Sequence, residues 1–289
     1  MIWLIGNKGM LGTEVERLLK KNQRDYIASD REIDITDLDQ LYEFTNDKPL
    51  SWIVNCAAYT AVDKAEDEPE LAFRINAEGP LNIAKIARDK GARLIHLSTD
   101  YVFGGLQDCA LTETDSPNPF CVYSASKYKG EVNVTKTLIA HFIIRSAWLY
   151  GKNGPNFVYA MLRQFREKDE VRVVDDQWGS PTYAPDLAEL MVHIIESDSH
   201  AYGVYHFTNE GRINWHQFAS AIYDLAKKKG LIEREVQILP ISTGQYPTRA
   251  KRPAYAYLSK EKICRTFDIT LKPWQQSLSR FMGSCNLAL

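Results

Sequence analysis

The chain has 289 residues, 45% hydrophobic and 25% charged, which excludes a disordered polymer. At roughly 100–200 residues per domain, this length predicts one large domain or two small ones, with no need of a metal or disulfide staple. Lys plus Arg is 35 and Asp plus Glu is 37, a net charge of -2 that speaks against a nucleic-acid binder.

The predicted elements alternate from the start. Ile2-Trp3-Leu4-Ile5, ended by Gly6, reads as a buried parallel strand. Leu11, Val15, Leu18 and Leu19 then recur at helical spacing. Tyr26 to Ala28 reads as a second strand running into Ser29-Asp30-Arg31, Asp37 to Phe44 as helix, and Trp52 to Ala57 as another buried strand. Leu71 to Asp89 reads as one long helix stopped by Gly91, followed by a strand over Arg93 to Ser98. Tyr123 to Leu138 reads as helix and Phe142 to Arg145 as strand. This alternation predicts an α/β fold, a Rossmann-type doubly wound parallel sheet, with residues 1–151 as its NAD(P)-binding domain. Beyond it Pro155, Pro181 and Pro185 punctuate the pattern. Val204 to Phe207 gives one more strand and Ala219 to Lys229 one more helix, and the tail from Pro240 looks loop-like. Residues 152–289 are expected to build a smaller substrate-binding lobe that returns at least once to the sheet.

The five cysteines (Cys56, Cys109, Cys121, Cys264 and Cys285) contain no CxxC pair, which disfavours a disulfide framework and fits a reducing compartment. No apolar run reaches about 18 residues, so no membrane span is predicted. The start of the chain has no basic region or cleavage site, so a cytoplasmic protein is expected. His96, His141, His193, His206 and His216 show no metal-ligand spacing, and no metal is predicted.

Gly6, Gly9 and Gly12 form GxxGxxG between the first strand and the first helix. Such a turn needs positive φ, a close approach of backbone to pyrophosphate, and tight helix-on-strand packing. The helix N-terminus then offers free N–H groups to phosphates. Asp30 suits the hydroxyls of an adenosine ribose, and Arg31 suits a 2′-phosphate, so NADH and NADPH both remain open. Asp34 and Ile35 are candidates to wall the adenine.

Tyr123 and Lys127 stand four apart in Tyr-Ser-Ala-Ser-Lys, on one face of a predicted helix. A free phenol has a pKa of about 10, and a nearby ammonium is expected to lower it. Ser98-Thr99, at a predicted strand end, adds a hydroxyl for the reacting carbonyl.

Together these residues resemble the extended short-chain dehydrogenase/reductase family, and within it the branch that reduces dTDP-4-dehydrorhamnose. The resemblance spans nearly the whole chain. It is carried by Gly6–Gly12, by Asn55-Cys56-Ala57-Ala58-Tyr59-Thr60-Ala61-Val62-Asp63-Lys64-Ala65-Glu66, and by Ser98-Thr99-Asp100-Tyr101-Val102-Phe103. Tyr123–Lys127 followed by Gly130-Glu131, Arg145–Gly151 and Asp176–Thr182 complete it. The resemblance implies a catalytic set of Thr99, Tyr123 and Lys127. It implies cofactor contacts from Gly9, Met10, Leu11, Asp34, Ile35, Ala57, Ala58, Tyr59 and Leu97, with Tyr123 and Lys127 also near the nicotinamide end. Val62, Asp63, Thr99, Asp100, Tyr101, Phe103 and Trp148 would meet or shape the sugar site, and Asn76 would help order it. The implied reaction is NAD(P)H-dependent reduction of the C4 ketone of dTDP-4-dehydro-6-deoxy-L-mannose to dTDP-L-rhamnose, with Tyr123 as proton donor.

The chain departs from that pattern in two places. Glu14 matches one glutamate of a magnesium-bridged dimer, but Pro185 stands where another is expected, so a monomer or metal-free homodimer is expected. The loop usually reading Arg-Pro-x-x-Ser-x-Leu is here Arg252-Pro253-Ala254-Tyr255-Ala256-Tyr257-Leu258. Arg249 and Arg252 are candidates for the diphosphate of a nucleotide-sugar. Two alternatives stand beside this reading. One is an epimerase, a dehydratase or a reductase of another nucleotide-sugar, although Thr99-Asp100-Tyr101 lacks the glutamate that dehydratases place there. The other is a non-catalytic cofactor-binding subunit similar to the β-subunit of methionine adenosyltransferase.

Overall fold

Six short apolar segments pair into one parallel sheet in the order β10-β5-β4-β3-β1-β2. Its strands are β1 (Ile2–Ile5), β2 (Tyr26–Ser29), β3 (Trp52–Asn55), β4 (Arg93–Thr99), β5 (His141–Ser146) and, from far along the chain, β10 (Gly203–His206). The computed structural model describes residues 1–106 and 108–284, so Cys285 lies outside the described residues. Alternate strand residues bury on opposite faces, as period-two geometry requires. Ile2, Leu4, Val54, Ile95, Phe142 and Ile144 enter one core, and Trp3, Ile5, Ile53, Leu94 and Ile143 enter the other. Helices α1 (Met10–Lys21) and α8 (Ala184–Glu196) cover the first face. Helices α2 (Leu38–Thr45), α5 (Gly79–Lys90) and α6 (Val122–Thr137) cover the second. The molecule is thus a Rossmann-like doubly wound sheet.

Register brings the site together. Ile5 pairs with both Ser29 and Asn55, and Thr99 pairs with Ser146. The carboxyl ends of β1 to β5 therefore share one edge. Strand order reverses around β1, and ligands bind outside the strand ends at such a switch point.

The long helix expected over Leu71 to Asp89 is broken. After α3 (Val62–Ala65), α4 (Pro69–Phe73) passes into a π-turn (Arg74–Glu78) and then into α5. Pro80 has no N–H for the Asn76 carbonyl four residues back. That carbonyl instead lies against α6 at Gly130, where a Cβ would come within 2.1 Å of the Asn76 oxygen.

The second half is more regular than its prolines suggest. It holds the short strands β6 (Leu149–Tyr150), β8 (Trp178–Gly179), β9 (Thr182–Tyr183) and β11 (Ile213–Asn214). Helices α7 (Phe157–Glu167), α9 (Trp215–Lys228), α10 (Glu261–Phe267) and α11 (Trp274–Ser284) accompany them. Pro185 starts α8 rather than breaking it, since the first helical turn needs no N–H from it. Helix α9 begins four residues before the expected Ala219, because Asn214 and Gln217 form a reciprocal capping box. Pro240 belongs to a strand, β12 (Gln237–Ile241), which pairs with β7 (Glu170–Val174). Gln237 donates to the Asp169 carbonyl and the Ile241 carbonyl accepts from Asp175, so alternate residues of β12 bond β7 and Pro240, lying between them, costs no ladder bond. A third core from α7, α9, α11 and β7 holds this lobe.

Candidate active site

The glycine turn is built by steric exclusion. Gly6 has φ +77°, and a Cβ there would lie 2.9 Å from the Ala57 nitrogen. A Cβ on Gly12 would sit 2.0 Å from the Gly6 carbonyl oxygen, so only glycine lets α1 start so close to β1. Gly9 occupies the N-cap position, with no side-chain cap and no acidic residue in the first turn. The amide end of α1, at Met10 and Leu11, is left for an anion. Beyond β2, the Asp30 backbone N–H donates to Glu32 Oε1 (2.7 Å), and Arg31 is exposed. The Asp34 carboxylate folds back onto the Thr36 N–H (2.9 Å), while Ile35 is buried in the core against Gly79.

Asn55 and Asn76 shape the exit of β3. Asn55 Oδ1 accepts the Ala57 N–H at 3.0 Å. Asn76 Oδ1 accepts the Tyr59 N–H at 2.9 Å, and its amide donates to the Tyr59 carbonyl at 3.0 Å. Ala58 is thus carried between two clamped neighbours. Asn76 is buried inside the protein, and its amide also donates to Ser126 Oγ on α6 (3.0 Å). The two candidate arginines reach this same segment. Arg252 donates to Asp63 Oδ2 at 2.7 Å, and Arg249 pairs with Asp67. Val62, Tyr59 and Tyr101 all pack against the small core that contains Tyr123.

Thr99 ends β4, and Tyr123 and Lys127 lie one turn apart on α6. The Thr99 hydroxyl donates to Asp100 Oδ1 (2.9 Å) and accepts the Tyr101 N–H (3.2 Å). The Tyr101 ring meets Tyr123 edge-on at 5.6 Å. Lys127 Nζ donates to the Leu97 carbonyl at 2.7 Å. Burial lowers the Lys127 ammonium to about 8, opposed chiefly by the Glu131 carboxylate. Burial likewise pushes the Tyr123 phenol above its ordinary value, and the hydrogen bond with Thr99 pulls it part of the way back. The expectation of a tyrosine lowered by the lysine is therefore corrected. Desolvation dominates at Tyr123, and the ammonium is engaged by a strand carbonyl. Asp100 is buried with Oδ2 unpartnered, and burial raises its carboxyl to about 7.

Two aromatic candidates differ in setting. Phe103 is buried in a small core beneath the Arg145 guanidinium, 5.0 Å from its ring centre. Trp148 has φ +47°, an uncommon conformation for a bulky residue, and stacks on Trp215 at 3.6 Å. Two other residues received no role from sequence. Glu131 and Arg145 form a buried ion pair at 2.7 Å beside Ser98. The spacing of Glu131, four beyond Lys127 on the same helix face, was the available signal.

The model of the RmlD substrate binding domain matches residues 1–286. A dTDP-4-dehydrorhamnose reductase of Aggregatibacter actinomycetemcomitans is 38% identical over 281 residues, covering 95% of this chain and 96% of the relative. The chain belongs to the dTDP-4-dehydrorhamnose reductase family. A crystal structure of the Bacillus anthracis dTDP-4-dehydrorhamnose reductase, in complex with NADP, superposes with a TM-score of 0.92 at 36% identity, covering 98% of this chain and 99% of that one. A Thermus thermophilus UDP-glucose 4-epimerase in complex with NAD shares the fold at 18% identity and a TM-score of 0.78. In this member of the dTDP-4-dehydrorhamnose reductase family, Glu14 is paired with Arg17 at 2.8 Å and Pro185 opens α8. Among the described residues, no group of three or more His, Cys, Asp or Glu side chains is placed to hold a metal ion, and no helix is long and apolar enough to cross a membrane.

Proposed function

We propose that the chain reduces the C4 ketone of dTDP-4-dehydro-6-deoxy-L-mannose to dTDP-L-rhamnose with NADPH or NADH. The observation that carries this reading is the convergence of Thr99, Tyr123 and Lys127 at the edge where the Gly6–Gly12 turn also opens. The glycine cradle fits a dinucleotide, because any Cβ at Gly12 would fill the space the turn requires. Met10 and Leu11 would present their amides to the pyrophosphate, and Asp30 or Arg31 would meet the adenosine ribose. Asp34 and Ile35 would border the adenine, and Ala57, Ala58, Tyr59 and Leu97 would line the remainder. When bound, the reduced nicotinamide supplies the hydride.

Every other step belongs to the chain's own groups. Thr99 holds the ketone oxygen by hydrogen bonding. Tyr123, kept protonated by its burial, gives its phenolic proton to the alkoxide that forms. Lys127 stabilises the resulting phenolate with its ammonium charge and holds ribose hydroxyls. Val62, Asp63, Asp100, Tyr101 and Trp148 orient the sugar, and Phe103 supports the wall from beneath. Arg252 borders a cavity of about 310 Å³ that Thr248 and Lys251 also line, a suitable place for the diphosphate. Residues 1–151 would serve mainly the cofactor and 152–289 mainly the sugar. The proposed enzyme is cytoplasmic, as a monomer or metal-free homodimer.

The test is to incubate the protein with the 4-keto nucleotide-sugar and NADPH or NADH, follow loss of the reduced cofactor, and identify the product by mass spectrometry. Stoichiometric dTDP-L-rhamnose supports the reading. Tight cofactor binding without turnover overturns it in favour of a non-catalytic subunit or a different nucleotide-sugar.

A further inference from the structure

Below the Thr99–Tyr123–Lys127 cluster, helix α6 is bolted to the end of β4 twice. Lys127 Nζ takes the Leu97 carbonyl at 2.7 Å. One turn further on, Glu131 Oε1 accepts the Ser98 hydroxyl at 2.5 Å. Successive strand residues are thus engaged by successive helical turns, and Thr99 is the next residue along the strand. Arg145, on β5, closes the far side of Glu131 through Nε (3.0 Å) and Nη2 (2.7 Å), with both side chains buried. The two-point geometry leaves the carboxylate little freedom. Phe103 stacks against the guanidinium and fills the space on its other side.

Buried charges of this kind are weak contributors to net stability, because desolvation offsets their attraction. Their position one turn from Lys127 suggests another use. We propose that Glu131, clamped by Arg145, is a positioning residue for the reduction. It locks the Thr99-bearing strand end to α6 and supplies the negative charge that keeps Lys127 an ammonium. The other titratable groups around Lys127 are Tyr123 on its own helix, Cys56 beyond β3 and His96 on β4. Cys56 has its thiol pushed up to about 12 by burial, and His96 is held neutral by burial and by the Lys127 charge. Neither supplies a negative charge near neutral pH, so Glu131 is left as the source.

The proposal rests on the reductase reading, but its first measurement needs no substrate. Lys127 is titrated by NMR on protein labelled at lysine Cε, with Lys127→Arg to assign the signal. In Glu131→Gln, which keeps the shape and the bond to Ser98, the Lys127 midpoint should move to lower pH. The alkaline limb of turnover should move with it. With the Arg145 clamp on position 131 weakened and the carboxylate charge gone, kcat should fall about 10- to 100-fold, with KM for the sugar held within about threefold. Glu131→Gln leaves Arg145 without its counter-ion, so Glu131→Gln/Arg145→Met is made beside it, removing both charges together. An unmoved Lys127 midpoint in Glu131→Gln overturns the proposal, and so does a wild-type kcat in the double variant if that one alone folds. Loss of fold in both variants also overturns it, because the pair is then structural alone. A shifted midpoint in a protein whose wild type reduces no sugar sinks the reductase reading and leaves the electrostatic link standing.

Discussion

The Asn76 amide donates to Ser126 Oγ at 3.0 Å, and Ser126 sits between Tyr123 and Lys127 on α6. The same side chain holds both backbone groups of Tyr59. One buried amide thus joins the exit of β3 to α6. Asn76→Ala leaves buried polar groups unpaired, a loss of about 1–3 kcal/mol. Urea unfolding should show a lower midpoint with an unchanged slope. A wild-type midpoint would mean that water replaces the amide at no cost.

Tyr123→Phe removes the proposed proton donor and keeps the ring that packs against Tyr101. Turnover should fall about 10²–10⁴-fold, the usual contribution of positioned proton transfer. Cofactor affinity, read by fluorescence titration, should stay near that of wild type. Turnover close to wild type would remove Tyr123 from the mechanism.

Gly12→Ala places a methyl group 2.0 Å from the Gly6 oxygen, so backbone has to move. Overpacking of this kind costs about 1–3 kcal/mol. Both melting temperature and cofactor affinity should drop. Gly244→Ala serves as the control, since its Cβ would find no atom nearer than 3.9 Å. Equal behaviour of the two variants would refute the steric account of the turn.

Arg252→Ala frees Asp63 and removes a cation from the cavity proposed for the diphosphate. Initial-rate kinetics should show a raised KM for the nucleotide-sugar, with kcat changed less. An unchanged KM would assign Arg252 to holding the loop against α3 alone.

Asp100 gives a pH signature. Burial pushes its carboxyl up to about 7 in the folded protein, from an ordinary value of 3.8. Between those pH values the native state binds the extra proton, so this group's contribution to stability falls as pH rises. His206, lowered by burial to about 3, works in the opposite direction over acid pH. The wild type should therefore be compared with Asp100→Asn at each pH. The variant's melting temperature relative to wild type should rise from pH 4 to pH 8, reflecting on the order of a few kcal/mol. A flat difference would show that Asp100 titrates normally.

How much was legible in the sequence depended on whether the signal was local. Gly6, Gly9 and Gly12 were legible because a strand, a tight turn and a helix start are local events. Tyr123 and Lys127 were legible because helical spacing puts them on one face. The π-turn at Arg74–Glu78 was not, since it depends on Gly130 on another helix receiving the Asn76 carbonyl. Helix α8 was hidden by Pro185, a residue that both ends helices and begins them.

The sequence by itself determined the alternating strand and helix order, the glycine turn and the placing of Tyr123 and Lys127 on one helix face. Backbone sterics and short-range periodicity carry that information. Only the tertiary structure decided that Arg252 is engaged by Asp63, across 189 positions of chain, and that burial raises Tyr123 rather than letting Lys127 lower it. Desolvation and long-range pairing depend on which segments meet in space. Near-balanced charge described the chain as a whole, but it could not say which few charges would be buried.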